Sequence, residues 1–249
     1  ERPGGSAFSR ELGLAASVLV DVAGKSSLQR VINTLESSPS VTGGVLCGPA
    51  KAVYDTSPEI GTILEGSSFK WMPPQTGPSA SAAAGIEKLD RFPILLTAGD
   101  HALLTPEIVE DFCRRAARQE ADVVFGLAPY ARVREAFPES KRTVLRFSDG
   151  AWCGTNLFAI LTREGKAGPV YWTSLEADRK RPWRMARKIG PVLILKFFLG
   201  RLTLDSVLES LSRAMGCRVG CVIIDNPRVA VDVDSVADRD LAEKILLAE

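Results

Sequence analysis

The sequence has a single histidine, His101, among 249 residues. A zinc centre built on several histidines is therefore excluded, and a Ser-His-Asp triad would have to include position 101. The chain also lacks an excess of charge of one sign, because its formal net charge is +1. Nothing draws the whole chain to nucleic acid or to an anionic membrane, so any anion-binding site must be local.

Long apolar segments are missing as well. The longest strongly apolar run, 191–199, contains Lys196 and has about half the length that spans a bilayer. It predicts a buried helix, and contact with a membrane surface or with a second copy in a homodimer is left open. We expect no transmembrane segment.

The ends of the chain and its cysteines indicate a compartment. The first residues, 1–5, contain no apolar core of a signal peptide. The sequence starts without Met, which suggests that it begins inside a longer one. Its five cysteines are scattered and odd in number, which favours the reduced thiols of a cytoplasmic protein over a disulfide framework.

Strand and helix patterns alternate through the first half of the chain. Predicted strands lie at 17–22, 41–47, 69–72, 94–96 and 122–127, with helices after the first, third and fourth. This order predicts an α/β fold with right-handed crossovers and a mostly parallel sheet. The 45% hydrophobic content is enough for one sizeable core.

The rhythm changes after residue 127. Residues 143–147 and 152–161 flank the turn 148–150 and predict an antiparallel hairpin. Residues 163–215 predict a helical insertion, 217–224 and 228–233 return to strand, and Ser235 caps a last helix. With no repeat or clear linker, the simplest organisation is a single domain over 1–249.

Asp100 stands where the central strand ends. Ile94, Leu95 and Leu96 form a short apolar run, Gly99 stops it, and a helix with Thr105 as N-cap follows. Open α/β sheets bind ligands at the carboxyl ends of their strands. Asp100 is therefore either a turn residue or a Mg²⁺ ligand, and His101 beside it is a positioning or packing residue rather than a catalytic base.

Several segments in order resemble the MobA-like nucleotidyltransferases, a family of GT-A-type fold. They are Arg2-Pro-Gly-Gly5 with 19–25, Gly77-Pro-Ser-Ala-Ser81, Gly99-Asp-His101, Gly154-Thr-Asn-Leu-Phe158 and Asp232-Val-Asp-Ser-Val-Ala-Asp238. The resemblance implies a three-layer, Rossmann-like sheet with helices on both faces. It also implies transfer of a nucleoside monophosphate from an NTP to a phosphorylated acceptor, with Mg²⁺ or Mn²⁺ as cofactor.

Site residues follow from the same resemblance. Asp100, Asp232 and Asp234 would hold the metal. Gly4, Gly5, Gly77, Ser79 and Ser81 would contact the nucleotide, although each also suits a plain loop or N-cap. The acceptor side would be formed by His101, Asn156, Arg184 and Lys188, although basic runs on helices are often just solvated faces.

Two departures from the family pattern leave alternatives open. The first strand and the leading glycines of the nucleotide loop would lie before residue 1, and Ser17 occupies the position of a phosphate-binding Lys. Arg2, Arg10 or Lys25 would have to supply that charge. The alternatives are a glycosyltransferase that uses a nucleotide sugar and a degenerate nucleotide-binding protein.

Overall fold

The computed structural model describes residues 6–178, 196 and 199–248. The chain forms two compact units. The first combines Glu1–Asp90, Thr97–Cys113 and Val231–Glu249, and the second combines Arg91–Leu96 and Arg114–Ala230. The organisation as one domain over residues 1–249 remains a prediction.

Helices and strands are interspersed along the residues that the structure describes. The strands are β1 (Asp21–Val22), β2 (Lys25–Ser26), β3 (Gly44–Cys47), β4 (Phe69–Met72), β5 (Ile94–Leu96), β6 (Val123–Pro129), β7 (Val144–Phe147), β8 (Gly150–Ile160) and β9 (Val219–Ile223). The α-helices are α1 (Ala7–Glu11), α2 (Ser27–Glu36), α3 (Lys51–Thr56), α4 (Pro58–Leu64), α5 (Pro78–Leu89), α6 (Pro106–Ala116), α7 (Tyr130–Ala136), α8 (Ala167–Asp178), α9 (Leu204–Met215) and α10 (Val236–Leu247). The predicted α/β class is confirmed.

In the first unit, two parallel strands support a helix. β3 and β4 pair from Gly44 opposite Phe69 to Cys47 opposite Met72. The small residue Gly85 lets α5 approach β3, because a Cβ there would lie 2.9 Å from Cys47 Sγ. α2 buries Leu28, Val31, Ile32 and Leu35, the stripe that its spacing predicts.

The predicted strand 17–22 is wrong over most of its length. Residues Ser17–Leu19 form a 3-10 helix, and β1 begins only at Asp21. β1 and β2 instead make a tight hairpin, in which Ala23 (φ 51°) and Gly24 (φ 80°) both adopt the left-handed conformation. The apolar residues before the hairpin are buried without joining a larger sheet. An apolar run indicates burial but does not distinguish a buried strand from a buried helical turn.

A larger, mixed sheet forms the second unit. Its strand order is β5-β8-β6-β9, with β7 paired to β8. β6 and β9 are parallel, while β8 is antiparallel to both β5 and β6. The directions of β5, β6 and β9 therefore agree, and the predicted mostly parallel sheet is confirmed. The predicted hairpin of β7 and β8 is also confirmed, but β8 lies inside the sheet.

Two predictions for the last third of the chain have different outcomes. The predicted strand 228–233 is wrong, because Pro227–Ala230 form a 3-10 helix and residues 231–234 form no strand. Pro227 has no backbone N–H for a ladder. In the predicted helical insertion, α8 and α9 are helical, and most of the segment between them is not described. No helix in the described part of the chain is both long and apolar enough to cross a membrane.

Asp122 ties three parts of the second unit together. Its side chain is 8% exposed and accepts hydrogen bonds from the Arg218 amide (2.7 Å), the Arg218 guanidinium (3.1 Å) and Thr162 Oγ1 (2.9 Å). These donors, led by the Arg218 side chain, lower the pKa of Asp122 to about 2. The carboxylate thus joins the start of β6 to the start of β9 and the end of β8.

We expect Asp122→Ala to lower the free energy of unfolding by about 1–3 kcal/mol at neutral pH, because buried donors lose their acceptor. The pKa of Asp122 is lower in the folded state, so its contribution is complete above about pH 4 and is lost as the pH falls towards about 2. Urea denaturation over this range should show the wild type and the variant converging. Glu135→Ala, which breaks an exposed ion pair with Arg132, is the control and should change stability by less than about 0.5 kcal/mol.

Candidate active site

Asp100 lies in a tightly packed loop of the first unit. A Cβ at Gly99 would lie 3.3 Å from Val18 Cγ1 and 3.6 Å from Leu28 Cδ1, so the loop packs against the 3-10 helix and the start of α2. The Ala102 amide donates to the Asp100 carbonyl at 3.0 Å and closes a turn. The carboxyl group of Asp100 is thereby fixed close to the interior.

A backbone hydrogen bond joins this loop to the C-terminal acidic segment. The Val233 amide donates to the Asp100 carbonyl at 3.0 Å. Val231 and Val233 are fully buried, whereas Asp232 is half-buried and Asp234 is exposed. The fold therefore brings Asp232 and Asp234 beside Asp100 although they are far apart in sequence.

The electrostatics of this acidic cluster, Asp100 with Asp232 and Asp234, are unfavourable. Burial, together with the charges of Asp234 and Asp232, raises the pKa of Asp100 from 3.8 to about 7. Asp100 Oδ1 is buried and has no hydrogen-bond partner among the residues that the structure describes. A buried acceptor without a donor is costly, and a cation beside it would remove both the unmet bond and the repulsion.

The cluster fits a Mg²⁺ or Mn²⁺ ion, although it is not a complete cage. Within residues 6–178, 196 and 199–248, no group of three or more His, Cys, Asp or Glu side chains is arranged to hold a metal ion by itself. Mg²⁺ typically takes one or two carboxylates and completes its coordination with water and substrate phosphates. The donor set of Asp100 with its acidic neighbours is of this kind.

His101 is only 1% exposed. Its carbonyl accepts from the Leu104 amide at 3.1 Å and its amide donates to Ala98 at 3.4 Å, so its backbone belongs to the turn between β5 and α6. This burial agrees with the positioning or packing role predicted for it, and an acceptor-binding role remains a prediction.

The predicted nucleotide residues of the first unit lie at the start of α5. Gly77 is the N-cap, and Ser79 and Ser81 are buried in the first turn. Ser81 Oγ accepts a hydrogen bond from the Gln75 amide at 2.8 Å, which holds the preceding loop against the helix. Lys25, by contrast, is exposed in the β1–β2 hairpin.

Asn156 lies in the second unit, on β8. It is half-buried and has a left-handed backbone with φ of 52°. The pairing of β6 and β8 is irregular there, with a shift between Phe125 and Leu127. Sequence reasoning identified Asn156 but missed this bulge, for which Gly126 in an apolar strand was the available signal.

The remaining predicted site residues lie outside the described residues. They are Arg2, Gly4, Gly5, Arg184 and Lys188. Their predicted roles at the triphosphate and at the acceptor stay predictions.

Comparison with known proteins identifies the family. The model of the MobA-like NTP transferase domain matches residues 8–171. The chain belongs to this family. The match confirms the resemblance that the motifs of this nucleotidyltransferase indicate. Among curated proteins, no sequence matches it significantly.

Solved structures agree with the family. A hypothetical transferase from Thermus thermophilus is 25% identical, with a TM-score of 0.78, over 96% of this chain and 100% of that one. A 4-diphosphocytidyl-2C-methyl-D-erythritol synthase from Anaerococcus prevotii is 13% identical, with a TM-score of 0.57, over 98% and 95%. A CMP:2-keto-3-deoxy-manno-octonic acid synthetase complexed with CTP is 13% identical, with a TM-score of 0.58, over 100% and 96%. The last two share the fold.

The cysteines of this nucleotidyltransferase are not activated as nucleophiles. Burial raises the pKa of each of the five thiols, and that of Cys113 reaches about 11. A thiolate is the reactive form of cysteine. Burial therefore disfavours the reactive form of each of these thiols.

We expect Asp100→Asn to stabilise the metal-free transferase by about 1–2 kcal/mol at about pH 8. The raised pKa means that the folded state holds a proton that the unfolded state has lost, so stability falls as the pH rises from about 4 to 7. Asn carries no charge and avoids this loss. Urea denaturation in EDTA should show a difference at pH 8 that disappears near pH 4, and a variant no more stable than wild type at pH 8 would contradict the assigned repulsion.

Proposed function

We propose that this protein is a Mg²⁺-dependent nucleotidyltransferase that transfers a nucleoside monophosphate from an NTP to a phosphorylated sugar, alcohol or cofactor. The observation that carries the proposal is the buried Asp100 carboxyl with one unpartnered oxygen beside Asp232 and Asp234. Such a group accumulates negative charge. A cation would neutralise this charge, and the phosphates of the substrate would complete the coordination of the cation.

Asp100, with Asp232 or Asp234 or both, would hold Mg²⁺ or Mn²⁺. When bound, the ion supplies positive charge that neutralises the triphosphate and the departing pyrophosphate. The hydrogen bond from the Val233 amide to the Asp100 carbonyl fixes the loop that carries Asp100. The protein therefore does not have to reorganise this loop when the substrate arrives.

Binding of the nucleotide is assigned to the start of α5 and to Gly4 and Gly5. Gly77, Ser79 and Ser81 lie at the N-terminus of a 12-residue helix, where backbone amides and the helix dipole favour negative or polar groups. Gly4 and Gly5 would cradle the phosphates, and Arg2 and Lys25 would add positive charge.

The acceptor would be bound by Asn156 and His101, with Arg184 and Lys188 at its phosphate. Asn156 suits this role because its amide group both donates and accepts hydrogen bonds. In the reaction, an acceptor phosphate oxygen forms a bond to the α-phosphorus and the bond from that phosphorus to the bridging oxygen breaks. Pyrophosphate leaves with the electron pair, and the chain accelerates this step by orienting the reactants.

The direct test is pyrophosphate release from ATP, GTP, CTP or UTP with a panel of sugar and alcohol phosphates and Mg²⁺. We expect Asp100→Asn to reduce kcat by about 100-fold or more, because charge stabilisation in the transition state is lost. It should also abolish the rise in Tm that Mg²⁺ with NTP gives the wild type. Asp55→Asn, an exposed carboxylate paired with Lys51, is the matched control and should retain activity.

The products separate this function from its rivals. A glycosyltransferase would consume a nucleotide sugar and release a nucleoside diphosphate. A degenerate protein would bind NTP with metal and release nothing. Undiminished activity in Asp100→Asn would overturn the metal assignment even if pyrophosphate is released.

Position 17 offers a gain-of-function test. Ser17 begins the 3-10 helix, and the adjacent Val18 packs against Gly99, so this position lies on the segment next to the Asp100 loop. We expect Ser17→Lys to raise kcat/KM about 10-fold, because it restores the positive charge that members of the family carry there. Ser17→Gln, which is long but neutral, is the control. An equal gain from Gln, or none from Lys with folding intact, would show that position 17 does not face the phosphates.

A further inference from the structure

The pairing between β6 and β8 is interrupted at one place in the second unit. Phe125 pairs with Phe158, and the next pair is Leu127 with Gly154. Between these pairs β6 has a single residue, Gly126, and β8 has residues 155–157. The extra residues make a bulge, and bulges bend a strand and redirect the side chains within it.

The bulge places Asn156 in a conformation that side chains seldom adopt. Its φ is 52°, within the left-handed region where Asn is tolerated better than most residues other than Gly. A regular strand would give Asn156 an extended backbone and would therefore change the direction of its side chain. The direction of its amide group thus depends on the bulge.

Gly126 explains how the bulge is held. A Cβ at position 126 would collide with Thr155 Oγ1, and it would lie 3.3 Å from both Leu157 Cβ and Ile224 Cδ1. The side chain of Thr155, from the facing strand, therefore occupies the space that a side chain at position 126 would need. Glycine weakens a strand interior, and close approach of a neighbour is the physical reason for one here.

The stability of the fold does not explain why position 155 carries a threonine. It is 1% exposed, and its hydroxyl is buried without a hydrogen-bond partner in the part of the chain that the structure describes. A valine would fill the same volume without that loss. What Thr155 provides through its contact with Gly126 is its branched shape.

We propose that Thr155 and Gly126 are a positioning pair for the acceptor: their contact holds the bulge that gives Asn156 its left-handed backbone and aims its side-chain amide. This inference rests on the proposed acceptor role of Asn156. Neither residue of the pair touches the acceptor, so both act through the orientation of Asn156.

Kinetics of four variants test the pair. Gly126→Ala should raise the KM for the acceptor about 10-fold or more and leave the KM for NTP within about 2-fold, because only the acceptor side is displaced. Thr155→Val keeps the shape and should keep the acceptor KM. Thr155→Ala removes the branched shape and should raise the acceptor KM about 3-fold. Gly126→Ala/Thr155→Ala should return the acceptor KM to the level of Thr155→Ala, because the colliding oxygen is gone.

The outcomes divide clearly. Rescue by the double variant supports the pair, and a double variant as impaired as Gly126→Ala overturns it. An equal rise of both KM values in Gly126→Ala would also overturn it, because that is the signature of general damage. If Gly126→Ala does not fold, the comparison of Thr155→Val with Thr155→Ala decides. A rise of the acceptor KM in Thr155→Ala alone supports the pair, and an equal rise in both variants, or none in either, overturns it.

A second measurement does not depend on activity. Protein labelled with ¹³C and ¹⁵N in asparagine gives backbone signals from Asn33, Asn156 and Asn226. In the wild type, and in Thr155→Val, the carbon shifts of Asn156 should indicate a left-handed backbone, and in Gly126→Ala they should move towards extended values. If the wild type transfers no nucleotide but these shifts behave as stated, the proposed function and the acceptor role fail, and only the effect of the Thr155–Gly126 contact on the backbone of Asn156 stands. Unchanged shifts in Gly126→Ala would remove the pair whatever the activity.

Discussion

Burial of the Asp100 carboxyl beside two other carboxylates is the constraint on which the candidate site of the first unit depends. The Val233 amide holds the acidic C-terminal segment against the carbonyl of Asp100, and burial together with Asp234 and Asp232 raises the pKa of Asp100 to about 7. A fold selected only for stability would place a neutral side chain there. The arrangement becomes favourable once a cation is shared, which is how a functional site commonly reduces the stability of its free protein.

The second unit combines regular pairing of the long strand β8 with an irregular backbone at one residue of that strand. Asp122 fixes the start of β6 to β9 and to the end of β8 through buried, charge-assisted hydrogen bonds. Further along, Thr155 fills the space beside Gly126 where the pairing of β6 and β8 shifts at Asn156. Rigid pairing on each side gives the irregular residue a defined direction.

Much of the architecture could be predicted because it depends on the residues of short, local segments. β4 and the hairpin of β7 and β8 were evident from short apolar runs and turn residues, and the last helix from its cap Ser235. Two predicted strands failed for a common reason. Residues 17–22 and 228–233 are apolar enough to be buried, but none of the strands that the structure describes pairs with them over that length. A periodic pattern cannot reveal a missing neighbour.

The sequence by itself determined the α/β class, the turn after β5 and the acidic residues at positions 100, 232 and 234, because these depend on residue type and spacing along one segment. Only the tertiary structure decided that Asp100 meets the acidic pair, that its carboxyl is buried with an unmet hydrogen bond, and that Asn156 takes a left-handed backbone. Each of these results from contact between segments remote in sequence, and the energies of burial and of charge repulsion depend on distances that no local pattern encodes.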